Sequence, residues 1–506
     1  MCGIITIYGN NANHWEADLD AMLDKLSHRG PDDHGTYVGS NIAMGQTRLS
    51  IVDVAGGKQP IFSEDGRKCV ICNGEIYNYP VLKNELRQHR FCTNSDSEVI
   101  IHLFEEEGEK SVSRLDGMFA FILYDGEDIL VARDPLGIKP LYYGWKEGCL
   151  FFASEFKVLD GVVDRVQEFP PGHYYSSKNG LVQYYCLPEV TAWEDDIHEI
   201  TDRLHEILSK AVQKRWMSDV PLGCFLSGGV DSSLISAVSK QHFDHLDTFS
   251  VGLEGVAIDL EYARKAADFL GTNHHEYIYA KDEVLEALPD VIYHLESFDP
   301  ALIRSAIPCY FVSRLASDYV KVILTGEGAD EVFAGYHYIK RFKNMADVHN
   351  ETVRILTGLH NMNLQRVDRA TMAHSIEGRV PFLDIDFVEY AMSIDPKLKL
   401  AGKKSRIEKW LLRQAFSDYL PKEILWRPKI EFAAGCGSER LITNLVEDEI
   451  SDAEFEKEKA LHKDAKILSK EELYYFRIFR SFFNTDGEIE AIGRWKGGFA
   501  SEGTDL

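Results

Sequence analysis

The chain has 506 residues, 81 Asp and Glu against 55 Lys and Arg, and a formal net charge of −26. That length asks for two or more domains with separate cores, and an acidic balance without any Lys/Arg-rich run sets nucleic acid aside as a partner. The longest apolar runs, such as Met118 to Tyr124, are too short to cross a membrane, the first residues lack a signal peptide's features, and nine irregularly spaced cysteines suit a reducing, cytoplasmic setting.

In chain order, Ile5 and Ile7 alternate in a strand that carries Cys2 at its start. Removal of the initiator Met would give Cys2 both a thiol and a free α-amine. Such an amine, with a pKa of about 7.7 to 8, can take the thiol proton near neutral pH. Taken alone, Cys2 reads as no more than a second residue; its company reverses that. His28-Arg29-Gly30-Pro31-Asp32, Arg48-Leu49-Ser50-Ile51-Val52, Asn73-Gly74-Glu75-Ile76-Tyr77-Asn78 and Ser95-Asp96-Ser97-Glu98 follow in order. Cys69 and Cys72 read as two strand cysteines, because no second pair completes a zinc site. Short strands continue through Asp116–Phe121 and Ile129–Ala132, and the polar stretch Pro188 to Asp196 reads as a linker before a helix near Ile197 to Gln213.

The second half turns on Gly223-Cys224-Phe225-Leu226-Ser227-Gly228-Gly229-Val230-Asp231-Ser232-Ser233. The apolar run Val220 to Leu226 reads as a buried strand, then a glycine turn, then a helix carrying Leu234, Ile235, Ala237 and Val238 on one side. Glycine lets backbone approach an anion, and a helix start offers free N–H groups, so the loop suits phosphate. Asp231 would repel phosphate unless a cation lay between, which makes it a candidate Mg²⁺ ligand. The plain alternative is an ordinary strand-to-helix turn. Buried strands over Phe249–Leu253 and Val320–Thr325, alternating with helices near Leu260–Leu270 and Val284–Ile292, predict a parallel sheet with its ligand beyond the strands' carboxyl ends. Beyond Val446 the mixed charge reads as a solvated helix, Glu471 to Phe483 as an amphipathic helix that docks, and the glycine-rich tail after Lys496 as loose.

Ser227 to Ser233 resembles the pyrophosphate loop of the ATP pyrophosphatases, and the N-terminal set resembles the class II glutamine amidotransferases. Together they are similar, over nearly the whole chain, to the glutamine-dependent asparagine synthetases. The resemblance implies an N-terminal-nucleophile αββα sandwich over residues 1–186, then an α/β synthetase domain with a parallel sheet over residues 198–506. It implies that Cys2 attacks glutamine, that Asn73 and Gly74 form the oxyanion hole, and that Arg48 takes the α-carboxylate within a Leu49, Ser50, Ile51, Val52 segment. Glu75 and Asp96 would take the α-ammonium. It puts Leu226, Val251, Thr325 and Gly326, with the Ser227-Gly228-Gly229-Val230-Asp231-Ser232 loop, around ATP. Asp231 and Asp330 would hold Mg²⁺, Glu327 and Lys429 would serve adenylation, and Arg304, Tyr336 and Glu377 would line the acceptor site for aspartate.

The two half-reactions lead us to expect an internal passage for ammonia, and the family suggests a homodimer. Ala301-Leu302, Ala329 and Ile430-Glu431-Phe432-Ala433-Ala434-Gly435 depart from common patterns near the presumed acceptor end. A related amidotransferase acting on another carboxylate therefore stays open. A simple glutaminase or a non-catalytic relative would be expected to lose Cys2, Asp231 or Asp330, and all three are present.

Overall fold

A computed structural model describes residues 2–190, 193, 196–401, 406–438, 440–483 and 492–494. The tail after Lys496 lies outside the described residues, as does part of the expected linker.

The N-terminal half is built from two six-stranded antiparallel sheets. One runs Gln167–Glu168, Tyr142–Lys146, Cys149–Ala153, Cys2–Tyr8, Ile42–Arg48, Asp33–Val38. The other runs Gly180–Gln183, His173–Ser176, Ile129–Arg133, Gly117–Tyr124, Cys69–Ile76, Ile61–Phe62. Strand alternation decides the layers. Ile4, Met44 and Phe152 meet Ile71, Ala120 and Ile122 between the sheets. Ile5 and Ile7 face outward onto Leu19, Met22 and Leu23 of the helix Glu16–Asp24. On the opposite side, Val99, Ile100 and Leu103 of the helix Val99–Glu107 cover Phe119 and Phe121. The result is the αββα sandwich.

The second half holds a five-stranded parallel sheet in the order Asn273–Tyr279, Asp247–Leu253, Leu222–Phe225, Val322–Leu324, Glu377–Arg379. The three apolar strands are the ones the sequence predicts. Helices Val230–Lys240, Asp259–Leu270, Lys281–Leu295 and Pro300–Ser317 connect or cover them. The last begins on Asp299, whose side chain accepts from Leu302 N at 3.0 Å, and carries Pro308 inside it. Leu473, Phe476 and Phe479 of the helix Lys470–Phe482 are buried, so the docking expected of this segment is met. No helix among the described residues is long and apolar enough to cross a membrane.

Buried charge joins the halves. Arg29 Nη1 lies 2.7 Å from Glu155 Oε1 and 2.8 Å from Asp368 Oδ2. Arg369 reaches Glu155 and Glu296, each at 2.8 Å. Glu296 in turn accepts from the backbone N–H groups of Phe156 and Lys157 at 3.0 and 2.8 Å. Removing one member of such a set strands the others in low dielectric, so Arg369→Met should destabilise the chain by about 3–5 kcal/mol. A thermal melt checks this; a midpoint within a degree or so of wild type would show that the network is solvated instead.

Candidate functional sites

The first site gathers where Cys2 opens its strand. Cys2 N donates to Asn73 Oδ1 at 3.1 Å, and Arg29 Nε donates to Cys2 O at 3.0 Å. Burial pushes the Cys2 thiol up, against the pull of the amino terminus, a Leu49 hydrogen bond and Arg48. With Oδ1 occupied, Asn73 presents Nδ2, which is buried and has no hydrogen-bond partner among the described residues. An orphan donor is costly unless a ligand completes it. Gly74 beside it has φ +150°, and a Cβ there would stand 2.0 Å from Met118 O, so only glycine fits.

Arg48 Nη2 donates to the carbonyls of Asp53 and Val52 at 2.7 and 3.2 Å. Its guanidinium thus fastens the turn after the buried Leu49, Ser50 and Ile51, with Ser50 N held by Asp32 Oδ2 at 2.8 Å. Glu75 and Asp96 are buried near one another. Burial pushes Asp96 up to about 6, against a hydrogen bond from Ile76 N and with Glu377 adding to the rise. Burial, with Asp96 and Glu377, pushes Glu75 well above the usual carboxylate range. Two such carboxyls are poised to ionise when a cationic group arrives.

The second site is a cavity at the carboxyl ends of the parallel strands. Its walls include Leu226, Ser227, Gly229, Val230, Asp231, Ser232, Val251, Thr325, Gly326, Glu327, Asp330 and Lys429, all expected from the sequence. Gly228 shapes the loop from behind: its φ is +70°, and a Cβ would meet Tyr262 C at 2.4 Å. The loop is internally tied, with Ser227 N donating to Ser232 Oγ at 3.1 Å.

The sequence reading missed the site's main cation. Lys409 Nζ lies 2.5 Å from Asp231 Oδ2 and 2.6 Å from Asp330 Oδ1, while Lys429 Nζ lies 2.6 Å from Asp330 Oδ2. Arg413 and Arg427 also line the cavity and were missed. Lys409 sits outside any glycine motif, at φ +54° in the residue before the helix Trp410–Ala415. The available signal was charge balance: two acids beside a phosphate loop require cations. These paired carboxylates suit a hard cation, and Asp231 keeps one oxygen, Oδ1, without a hydrogen-bond partner among the described residues.

The three expected acceptor residues do not line this cavity. Arg304 turns to Glu471, with Nε 2.8 Å from Oε1. Tyr336 donates its hydroxyl to Glu331. Glu377 lies fully buried in the last strand, with Oε1 2.6 Å from Arg379 Nε, and that arginine reaches Glu75 of the first site at 3.5 Å. Each is held by a charged partner: 167 positions away for Arg304, but within five for Tyr336 and two for Glu377.

The two sites share the helix Asn363–Met372. Arg366 pairs with Glu327, and Val367 lines the cavity. Asp368 holds Arg29, the residue bonded to Cys2 O.

The chain matches the glutamine amidotransferase domain family over residues 1–176 and the asparagine synthase family over residues 203–347 and 340–472. It is 41% identical to asparagine synthetase [glutamine-hydrolyzing] 2 of Arabidopsis thaliana over 510 residues, covering 96% of this chain and 88% of that one. It is 40% identical to asparagine synthetase [glutamine-hydrolyzing] of Zea mays, over 97% of this chain and 88% of that one. With the probable asparagine synthetase [glutamine-hydrolyzing] of Dictyostelium discoideum the identity is 38%, over 98% and 96%. A sandwich with a cysteine at its first strand, a phosphate-suited cavity, and near full-length likeness at this level place the chain in the glutamine-hydrolysing asparagine synthetase family.

Proposed function

We infer that the chain makes asparagine from aspartate, ATP and glutamine. In the first site Cys2 Sγ attacks the side-chain amide carbon of glutamine. Asn73 Nδ2 and Gly74 N–H meet the developing oxyanion. The amide nitrogen leaves as ammonia, and water cleaves the thioester to glutamate. With Met1 removed, the Cys2 α-amine carries the thiol proton. Arg48 faces the substrate carboxylate, and Glu75 and Asp96 its ammonium.

In the second site the β-carboxylate of aspartate attacks the α-phosphorus of ATP. Pyrophosphate leaves, and a β-aspartyl adenylate remains for ammonia to attack, releasing AMP. Lys409 and Lys429 meet the phosphate charge, and Leu226 and Val251 flank the adenosine. Asp231 and Asp330 would hold Mg²⁺, which neutralises the departing pyrophosphate when bound. Arg304, Tyr336 and Glu377 remain candidates for orienting aspartate, through the groups they hold. Domain limits of 1–186 and 198–506, a homodimer and a cytoplasmic location belong to the same reading.

The carrying observation is the shared helix: Arg366 fixes Glu327 at one site while Asp368, two residues on, fixes Arg29 at the other. A passage for ammonia alongside this helix, shielded from protonation by bulk water, belongs to the same reading. Incubation with ATP, Mg²⁺ and ammonium chloride, with and without aspartate, tests the reaction. AMP and asparagine should form in equal amounts and only with aspartate; AMP formation indifferent to aspartate would move the acceptor to another carboxylate.

A pH profile tests the ammonium clamp. Asp96 is raised to about 6, above the ordinary carboxylate value, so below that pH the free enzyme holds it neutral. Glutamine's ammonium needs the anion. kcat/KM for glutamine should therefore fall roughly tenfold per pH unit below 6, and Asp96→Asn should erase that limb. A profile flat from pH 7 to 5 would remove Asp96 from the clamp.

A further inference from the structure

On the N-terminal half, His89, His102 and Glu105 each bring one ligand atom to within 4.8 Å of the other two. His102 and Glu105 lie on the helix Val99–Glu107, and His89 lies in the loop before it. The imidazoles stack with centroids 4.7 Å apart and planes 28° apart. Their outer nitrogens face carboxylates: His89 Nε2 is 2.9 Å from Glu106 Oε1, and buried His102 Nε2 is 3.5 Å from Glu98 Oε1. A proton on each outer nitrogen leaves both Nδ1 atoms as lone pairs. Those lone pairs point at a carboxylate as well. Glu105 Oε2 lies 3.0 Å from His102 Nδ1 and 3.4 Å from His89 Nδ1, and Glu64 Oε1 lies 3.8 Å from His89 Nδ1. The two Nδ1 atoms and Glu105 Oε2 thus converge, with Glu64 Oε1 beside His89 and Lys68 Nζ on the other oxygen of Glu105.

We propose that His89, His102 and Glu105 bind a divalent transition metal, with Zn²⁺ the ion they fit best and Glu64, beside His89, closing in as the fourth ligand. Zn²⁺ takes His nitrogen and carboxylate oxygen at about 2.0–2.2 Å in a tetrahedron, whose edges are then about 3.3–3.5 Å. The 3.0 and 3.4 Å separations of Glu105 Oε2 from the two rings are close to that edge, and Glu64, 3.8 Å from His89, would close in by a few tenths of an ångström or more on binding. The surroundings orient the ligands. Lys68 Nζ holds Glu105 Oε1 at 3.0 Å, and Arg90 N holds Glu64 Oε2 at 2.9 Å, so each carboxylate offers its other oxygen. Glu98 behind His102 supplies the outer carboxylate common to metal-bound histidines.

Glu98 also accepts from Cys92 N and Thr93 N, at 2.5 and 2.6 Å, and so anchors the loop that leads to Asp96. Metal binding would stiffen that loop. This second part rests on the glutaminase reading; the metal site does not.

The test uses the full chain, stripped with chelator and dialysed against Zn²⁺ or Co²⁺, in a Cys2→Ala background so that the active-site thiol cannot contribute. One Zn²⁺ per chain should bind, and Co²⁺ should show the intense visible bands of a tetrahedral site. Adding His89→Ala should weaken binding at least 100-fold and erase the bands, and Glu64→Gln should weaken it roughly tenfold. Absence of stoichiometric Zn²⁺ binding, or equal binding by the His89→Ala chain, overturns the proposal and leaves the cluster as a protonated histidine pair. For the loop, His89→Ala with native Cys2 should raise the glutamine KM several-fold and leave ammonium-dependent synthesis unchanged. If zinc binds and that KM stays put, the site stands and its hold on the loop is refuted.

Discussion

Replacing Cys2 with alanine should abolish glutamine-dependent asparagine formation, by on the order of 10⁴-fold or more, because no second nucleophile stands at that position. Ammonium-dependent synthesis should persist near the wild-type rate. The asymmetry follows from placement. Cys2 is anchored through its backbone, with N on Asn73 and O on Arg29, and alanine keeps both bonds, losing only the thiol's bond to the Leu49 backbone. Paired assays of asparagine with glutamine and with ammonium chloride decide it. Loss of both activities would mean that the Cys2 thiol supports the synthetase half as well, and the separation of roles would be wrong.

Lys429→Met should do the reverse. Lys429 Nζ sits 2.6 Å from Asp330 beside the phosphate loop, and Asp330 with Asp231 keeps it firmly protonated against burial. Removing that charge from a partly desolvated site should cost about 10²–10³-fold in AMP formation, with glutamine or with ammonium as the nitrogen source. Glutamine hydrolysis should continue, so ammonia should escape uncoupled. AMP formation within threefold of wild type would show that Lys409 alone meets the phosphate charge.

How much of this was readable depends on whether a residue's partner is local. The strands Leu222–Phe225, Asp247–Leu253 and Val322–Leu324 are apolar runs buried on both faces, and they announce themselves. The edge strand Asn273–Tyr279 does not, because His274, His275 and Glu276 break the apolar pattern; His274 bonds Thr248 and Ser250 across the sheet. Glu377–Arg379 is a strand of three residues, two of them charged, stabilised by contacts with Glu75 and with the carbonyls of Arg215 and Met217. No window of sequence contains those partners. The same holds for Lys409, whose purpose appears only when Asp231 and Asp330 stand beside it. Motif residues were legible because loop geometry fixes them locally. Arg304 shows the limit of resemblance, since its side chain is spent on Glu471, 167 positions away.

The helix Asn363–Met372 also bears on how such a chain could be recombined. A splice in the linker near residue 190 looks like a clean joint between two modules. Yet each module's half of the Arg29–Asp368 and Glu155–Arg369 pairs would then come from a different parent. A hybrid with an amidotransferase half lacking Arg29 or Glu155 would bury unmatched acids or arginines at its seam. The heritable unit is thus larger than either domain: a donor first half must bring its arginine and glutamate, or the recipient helix must change with it.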